Sequence, residues 1–200
     1  DHQSLAEAGA ELSGIDLTER AVLFTRARLE LFGLASQVVV GDAEHLPFTN
    51  ESFDCVYSWG VLHHTPNTAQ ACAEVLRVLR PGGVAKIMIY QKYSLVGFML
   101  WLRYGLGTLR PWRSLDYIYH HYLESPGTKA YTYGEARKLF AGASSVEMRS
   151  PLSHADLLES QVGQRHRGVV LSLARMLWPR WFFRCFTPQA GLGLMMVIRK

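Results

Sequence analysis

Apolar residues follow two patterns along the first ninety residues, namely short continuous runs and longer repeats at helical spacing. The continuous runs predict strands, and they lie at 11–16, 38–40, 53–58 and 84–90. The helical repeats predict the end of a helix over 2–8, a helix from an N-cap at Thr18 to about Phe32, and a helix over 68–80 that ends at Pro81-Gly82-Gly83. Strands that alternate with helices indicate a mostly parallel, doubly wound α/β sheet, in which ligands bind beyond the carboxyl ends of the strands.

From residue 91 onward this alternation ends, and two segments rich in aromatic residues and arginine follow, at 93–133 and 169–186. Between them the pattern predicts a helix near 135–140 and a strand near 146–149. A last apolar run at 192–199 predicts a closing strand, which we expect to be antiparallel. We therefore expect helical insertions after residue 90 rather than further repeats of strand and helix.

Composition is that of a globular protein, because 48% hydrophobic and 19% charged residues suffice for one sizeable core. Three cysteines without CxxC or Cys/His spacing argue against a disulfide framework or a zinc site and favour a reducing compartment. The longest clean apolar run, Leu95–Leu102, is far shorter than the roughly 20 residues of a spanning helix, and the polar start DHQS lacks the features of a signal peptide. We expect a cytoplasmic protein with neither a metal site nor a transmembrane segment.

Charge is distributed unevenly along the chain. Residues 1–100 carry 7 Lys/Arg and 11 Asp/Glu, whereas residues 101–200 carry 14 and 6. A solvated basic face is the ordinary explanation for the second half. An anionic substrate, a membrane surface or nucleic acid is the sharper alternative, and the charge pattern alone leaves these open.

Polar residues follow three of the predicted strands. Asp16 can accept hydrogen bonds from both ribose hydroxyls of a nucleotide-type cofactor, although an Asp near a helix start is also an ordinary cap. Asp42, in the block GDAEHLPF, can accept from an exocyclic amine such as that of adenine, while the small Ala43 lets the backbone approach a ligand closely; an ordinary turn explains this block as well. The third block, FDCVYSWGVLHH, joins a strand to a loop of small, aromatic and imidazole residues.

In this order and spacing the blocks resemble the class I S-adenosylmethionine-dependent methyltransferases, most closely the methyltransferase type 11 group. The matching segments are GIDLT at 14–18, GDAEHLPF at 41–48, FDCVYSWGVLHH at 53–64 and EVLRVLRPGG at 74–83. The resemblance implies a Rossmann-like fold and S-adenosylmethionine as cofactor. It also implies that Asp16 binds the ribose hydroxyls and Leu17 contacts the adenosine. The remaining implied contacts are those of Asp42 and Ala43 with the adenine, and of Ser58, Trp59 and Gly60 with the methionine arm and the reacting centre.

The glycine-rich loop of such an enzyme is expected before the first residue of this chain. In dinucleotide-binding folds the acidic residue lies roughly 20 residues beyond that loop, and counting back from Asp16 passes Asp1. We expect a truncation after the glycine-rich motif, with Asp1 and His2 as its last vestige and Asp1 as a cofactor contact. In this fold the first strand lies between the strands that end at Asp16 and Ser58. Because both neighbours would lose a hydrogen-bonding partner, we expect residues 1–200 alone to fold poorly and to bind cofactor weakly.

No repeat, low-complexity tract or linker divides the chain, so we expect one domain over 1–200. Within it we assign the cofactor-binding part to 1–90 and a helical insert or lid to 91–144. The last strands, with a second helical insert, occupy 145–200.

The implied reaction is the displacement of a methyl group from the sulfonium of S-adenosylmethionine, in which the protein contributes mainly alignment and exclusion of water. A general base is needed only for an acceptor that arrives protonated. The candidates are His63, His64, His120 and Tyr133, and no spacing singles one out. The aromatic insert favours a small apolar or amphipathic acceptor, and the segment at 169–186 could lie on a membrane surface.

Other interpretations remain. No Asn-Pro-Pro-Tyr/Phe motif follows the strand that ends at Ser58, which argues against a nucleic-acid methyltransferase. A nicotinamide-dependent oxidoreductase would share the fold and the acidic residue at Asp16, although the blocks at 41–48 and 58–64 argue against it. A non-catalytic relative could keep the sheet as a binding module.

Overall fold

Helices and strands alternate over the first ninety residues, as the hydropathy pattern predicts. The computed structural model describes residues 1–159, 176 and 178–200. The strands are β1 (Ser13–Asp16), β2 (Gln37–Val40), β3 (Phe53–Trp59), β4 (Leu79–Tyr90), β5 (Ser145–Arg149) and β6 (Gly193–Arg199). The α-helices are α1 (His2–Glu7), α2 (Glu19–Leu31), α3 (Thr68–Val78), α4 (Leu95–Tyr104), α5 (Leu115–Tyr122), α6 (Tyr133–Leu139) and α7 (Arg180–Phe186). Short 3₁₀ helices cover Leu62–His64 and Leu106–Thr108.

Local capping chemistry sets the boundaries of α2. The Thr18 side chain accepts a hydrogen bond from the amide of Ala21 at 3.3 Å, which satisfies one of the unpaired donors at the start of the helix. Gly33 follows the end of the helix with φ +64°, a backbone conformation that glycine adopts without strain. Both boundary predictions are therefore confirmed.

The described strands form two sheets. β1 pairs in parallel with β2, and a second sheet has the spatial order β3-β4-β6-β5. β3 and β4 are parallel, whereas β6 runs antiparallel to both β4 and β5. The predicted α/β architecture with an antiparallel closing strand is confirmed. Within the described residues β1 and β3 belong to separate sheets.

One predicted boundary is wrong. The helix expected over 68–80 ends at Val78, and β4 begins at Leu79, ahead of the Pro-Gly-Gly segment. Leu79 is fully buried and pairs with Phe53 across an irregularity in the ladder. Gly82, at φ +79°, donates its amide to the carbonyl of the last residue of the chain at 3.0 Å. Burial and strand pairing of Leu79 therefore outweigh the helical spacing that this residue shares with the helix before it.

Three groups of buried apolar side chains stabilise these layers. The main core lies around the four-stranded sheet, α3 and α6; its largest fully buried members include Phe140, Leu79, Ile87 and Ile198. A smaller group packs α2 on the two-stranded sheet through Val22, Leu29 and Val38. The helices inserted after β4 have their own cluster around Ile118 and Tyr119, and the Tyr119 hydroxyl donates to the carbonyl of Lys92 at 2.8 Å. This bond fixes the insert at the carboxyl end of β4.

The second aromatic segment is described only in part, because residues 160–175 and 177 lie outside the described residues. α7 begins directly after Pro179 and buries none of its residues fully. Trp181 and Phe186 are 73% and 64% exposed. Across the described ranges, no helix combines the length and the apolar character that crossing a membrane requires.

Candidate active site

The carboxylates of Asp16 and Asp42 follow neighbouring strands at one edge of the two-stranded sheet. Asp16 is the last residue of β1 and lies opposite Val40, and its carbonyl accepts the amide of Gly41 at 3.0 Å. Because parallel strands end at the same edge, Asp42 emerges beside Asp16. Oδ1 of Asp16 accepts hydrogen bonds from the amide and the hydroxyl of Thr18 at 2.9 and 2.8 Å, which holds the carboxylate at the start of α2.

The residues next to these carboxylates differ in exposure. The Leu17 side chain is 73% exposed beside Asp16. The Asp42 side chain is 49% exposed, and its Oδ1 accepts the amide of Glu44 at 2.9 Å. Ala43 is half-buried and packs against the main core. This edge therefore offers two carboxylates and an apolar side chain to a ligand.

The carboxyl end of β3 carries the third predicted group of residues. Ser58 is half-buried, and Trp59 is 41% exposed and stacks on Tyr57 with ring centroids 5.8 Å apart. Gly60 has φ +75° and donates its amide to the carbonyl of Met88 at 3.0 Å, so a side chain there would strain the turn. The Tyr57 hydroxyl donates to the carboxylate of Asp1 at 2.9 Å, which brings Asp1 to this strand.

Two cavities of the described structure lie apart from most of the predicted cofactor residues. A cavity of about 210 Å³ lies between α1 and α2; Asp1 is the only predicted cofactor residue among those that line it. Another of about 390 Å³ is lined by residues of β2 and by residues 47–49, 52 and 53. Neither is lined by Asp16, Asp42 or residues 58–60. Asp16 and Asp42 follow strands of the two-stranded sheet, whereas residues 58–60 lie at the end of a strand of the four-stranded sheet.

The two adjacent histidines after β3 differ sharply in environment. His63 is 0% exposed, and neither ring nitrogen has a hydrogen-bond partner. Its ring packs against Tyr90 with centroids 4.1 Å apart. Burial, with a smaller contribution from the neighbouring His64, lowers the pKa of His63 to about 3. His63 is therefore a neutral packing residue in this structure.

His64 reaches solvent and faces a carboxylate. Its side chain is 30% exposed, and Nε2 lies 3.7 Å from Oε2 of Glu124. Nδ1 lies 3.4 Å from the Thr128 hydroxyl. Burial lowers the pKa of His64, and the Glu124 carboxylate partly opposes this shift. A neutral imidazole with an adjacent carboxylate can accept a proton at neutral pH.

The other two candidate bases lie elsewhere. His120 is exposed on α5, where its ring contacts that of His121 with centroids 4.7 Å apart. The Tyr133 hydroxyl lies 2.6 Å from the Ser150 hydroxyl, and its ring packs on the main core. Neither is described in contact with the residues that follow β3. In the described part of the chain, no three His, Cys, Asp or Glu side chains are grouped to hold a metal ion.

Sequence reasoning missed several residues that organise the site. Glu124 and Thr128 lie about sixty residues from His64, and no local spacing marks them. Glu74 and Arg77 hold the loop that carries Asp42, and here a signal was present. Glu74 and Arg77 stand three residues apart in EVLRVLRPGG, the spacing of an ion pair on one helix face.

Part of the chain is similar to known methyltransferases. Residues 1–87 match the model of the methyltransferase 11 family, described as a methyltransferase domain. A phthiotriol/phenolphthiotriol dimycocerosates methyltransferase of Mycobacterium leprae is 46% identical over 74 residues, which are 37% of this chain and 27% of that protein. Residues 1–87 are therefore similar to the methyltransferase 11 family of class I S-adenosylmethionine-dependent methyltransferases.

Two further proteins resemble longer parts of the chain. Methyltransferase GfsG of Streptomyces halstedii is 32% identical over 117 residues, or 56% of this chain and 41% of that protein. The solved structure of a SAM-dependent methyltransferase from Thermotoga maritima shares the fold with a TM-score of 0.61 at 17% identity, over 98% of this chain and 75% of that chain. The chain spans about a quarter to two fifths of the length of these two curated relatives.

Proposed function

We propose that this methyltransferase transfers the methyl group of S-adenosylmethionine to a small apolar or amphipathic acceptor. The observation that carries the proposal is the juxtaposition of Asp16 and Asp42 at one edge of β1 and β2. The ribose hydroxyls and the amine of an adenosine group can donate hydrogen bonds, and carboxylates at this position can accept them.

Each predicted cofactor residue has a distinct role in this proposal. Asp16 accepts from the ribose hydroxyls, and Leu17 covers the adenosine. Asp42 accepts from the adenine amine, and Ala43 leaves room for the ring. Ser58, Trp59 and Gly60 line the methionine arm with Asp1 nearby. S-adenosylmethionine, when bound, supplies the electrophilic methyl group; the protein aligns the acceptor with it and excludes water.

His64 is the base that we assign to an acceptor that arrives protonated, such as a hydroxyl. It follows the β3 loop, it is partly exposed, and Glu124 stands beside its Nε2. His63 suits this role less well than His64, because its side chain is fully buried. As the acceptor loses its proton to His64, the neighbouring carboxylate stabilises the imidazolium that forms.

The acceptor is proposed to bind beside the helical insert that follows β4. The Mycobacterium leprae relative is named for phthiotriol and phenolphthiotriol dimycocerosates, which favours a small-molecule acceptor over a nucleic acid. The exposed aromatic side chains of α7 suit peripheral contact with a membrane surface. Free Cys55, Cys72 and Cys185 support a reducing, cytoplasmic location.

Calorimetric titration of the complete gene product with S-adenosylhomocysteine and with NAD⁺ tests the donor. We expect micromolar binding of S-adenosylhomocysteine and none of NAD⁺, followed by transfer of tritiated methyl from S-adenosylmethionine to members of an alcohol, thiol and amine panel. Binding of NAD⁺ alone would establish the oxidoreductase alternative. A well-folded protein that binds neither ligand would favour the non-catalytic binding module.

Substitution of His64 tests the assignment of the base. For a hydroxyl acceptor from that panel, we expect His64→Gln to lower kcat by about 10²- to 10³-fold, the usual contribution of a general base. The affinity for S-adenosylhomocysteine should stay within about twofold, because His64 contacts the acceptor rather than the cofactor. Initial rates measured against His120→Gln, an exposed histidine on α5, provide the control. An unchanged kcat for His64→Gln would remove His64 from the mechanism.

A further inference from the structure

Three polar side chains on α3, together with the backbone amide of its N-cap residue, face the loop that carries Asp42. These residues are Asn67, Gln70, Glu74 and Arg77. They recur at three- and four-residue intervals and therefore lie on one face of the helix. The loop between β2 and β3 runs along this face and has little regular structure of its own, and several of its backbone groups find their hydrogen-bond partners on these residues.

Arg77 binds the distal part of the loop. Its guanidinium donates to the carbonyl of Leu46 at 3.0 Å and to that of Phe48 at 2.8 Å. It also donates to the side-chain oxygen of Asn50 at 2.8 Å. Three acceptors on one rigid, planar group fix both the position and the orientation of this backbone.

Glu74 joins Arg77 to the same segment. Its carboxylate receives two hydrogen bonds from the guanidinium of Arg77, both at 2.7 Å, and a third from the amide of Leu46 at 2.8 Å. Glu74 is only 9% exposed, and its hydrogen bond with Arg77 lowers its pKa, so the pair stays charged. Leu46 is therefore held at its amide by Glu74 and at its carbonyl by Arg77.

The start of α3 holds the proximal part of the loop, close to Asp42. The amide of Asn67 donates to the Glu44 carboxylate at 2.5 Å, and the Gln70 side chain donates to the Glu44 carbonyl at 3.4 Å. The Glu44 amide in turn donates to the Asp42 carboxylate at 2.9 Å. A continuous series of hydrogen bonds therefore connects α3 to the Asp42 carboxylate, which is proposed to accept from the adenine amine.

We propose that Glu74 and Arg77 are positioning residues that set the selectivity of this methyltransferase for the 6-amino group of the cofactor's adenine. They hold the loop at Leu46 so that the Asp42 carboxylate accepts from the amine rather than turning into solvent. This inference rests on the proposed function, because it assumes that Asp42 faces an adenine. Without the contacts of Glu74 and Arg77 with Leu46, Asp42 would stay at the same point of the chain, but its carboxylate would be free to turn away from the amine.

The test compares two ligands that differ only at the adenine amine. S-adenosylhomocysteine carries the 6-amino group, and its 6-deamino analogue, with an unsubstituted purine ring, carries only a hydrogen on carbon 6, which cannot donate a hydrogen bond to a carboxylate. We expect the complete gene product to bind the adenosine form about 10- to 100-fold more tightly, the range for one hydrogen bond to a charged group. Arg77→Gln and Glu74→Gln should each reduce this ratio to about threefold or less.

The ratio of the two dissociation constants separates positioning from stability. A variant that is partly unfolded loses affinity for both ligands equally, so its ratio does not change. Arg80→Gln is the matched control, since Arg80 pairs with the exposed Asp54 at 2.8 Å, at the other end of β3. We expect its ratio to equal that of the unsubstituted protein.

Each outcome is decisive. An unchanged ratio in Arg77→Gln and Glu74→Gln would overturn the positioning role, even if both ligands bound more weakly. Equal binding of the two ligands by the unsubstituted protein would overturn the selectivity while leaving the proposed function intact. Failure of that protein to bind either ligand would overturn the proposed function itself.

Discussion

Replacing Asp16 with alanine should weaken the binding of S-adenosylhomocysteine by about 100-fold or more. Two hydrogen bonds from ribose hydroxyls to a carboxylate would be lost, and each hydrogen bond to a charged group contributes on the order of 1.5–3 kcal/mol. Asp16 stands at the end of β1, where the amide of Gly41 donates to its carbonyl and holds its backbone. Calorimetric titration of the complete gene product measures the effect directly.

Two further substitutions separate the role of the Asp16 carboxylate in binding from its role in the fold. Asp16 also accepts hydrogen bonds from Thr18, so alanine removes a local cap. Asp16→Asn can retain that cap while losing the charge, and we expect an intermediate loss of affinity. Asp54→Ala removes an exposed carboxylate from the start of β3 and should leave affinity unchanged. If Asp16→Ala binds as tightly as the unsubstituted protein, the cofactor does not use this edge of the sheet.

Local sequence patterns predict the helices and strands of the first ninety residues well, because interactions between residues close in sequence determine where these elements begin and end. A β-branched run at 38–40 fits a buried strand, and a Thr followed by a helical repeat fits a capped helix. Asp16 and Asp42 are also predictable from sequence as neighbours, since parallel strands end at one edge. The positions of these site residues could be predicted because each of them directly follows a predicted strand.

Contacts between distant parts of the chain could not be predicted in the same way. Glu124 reaches His64 from an insert whose sequence matches no motif of the resembled family, and only the packing of α4 and α5 brings it there. His63 is buried and His64 is partly exposed because the turn after β3 directs only the His63 ring inward. The sequence does not distinguish these two adjacent histidines. The strand start at Leu79 likewise reflects burial in the assembled sheet, which overrides local spacing.

The buried, neutral His63 should make this protein sensitive to acid. Its pKa is lowered from 6.5 to about 3 in the folded state, so between these values the unfolded chain binds the extra proton. The free energy of unfolding is therefore unaffected by His63 above pH 6.5 and falls as the pH drops below it. The loss is about 2 kcal/mol at pH 5 and approaches about 4–5 kcal/mol near pH 3. A loss of that size is a large fraction of the stability of an ordinary domain.

Urea denaturation between pH 4.5 and pH 7.5 tests this linkage through a single substitution. His63→Leu replaces an imidazole without hydrogen bonds by an apolar side chain, so we expect its stability at pH 7 to be equal or higher. Because His64 and His2, whose pKa values burial also lowers, remain in both proteins, the difference between the two pH profiles isolates His63. His45→Leu, at a side chain that is 77% exposed, should keep the acid-sensitive profile. If His63→Leu loses as much stability on acidification as the unsubstituted protein, His63 is protonated in the fold and its neutral packing role is wrong.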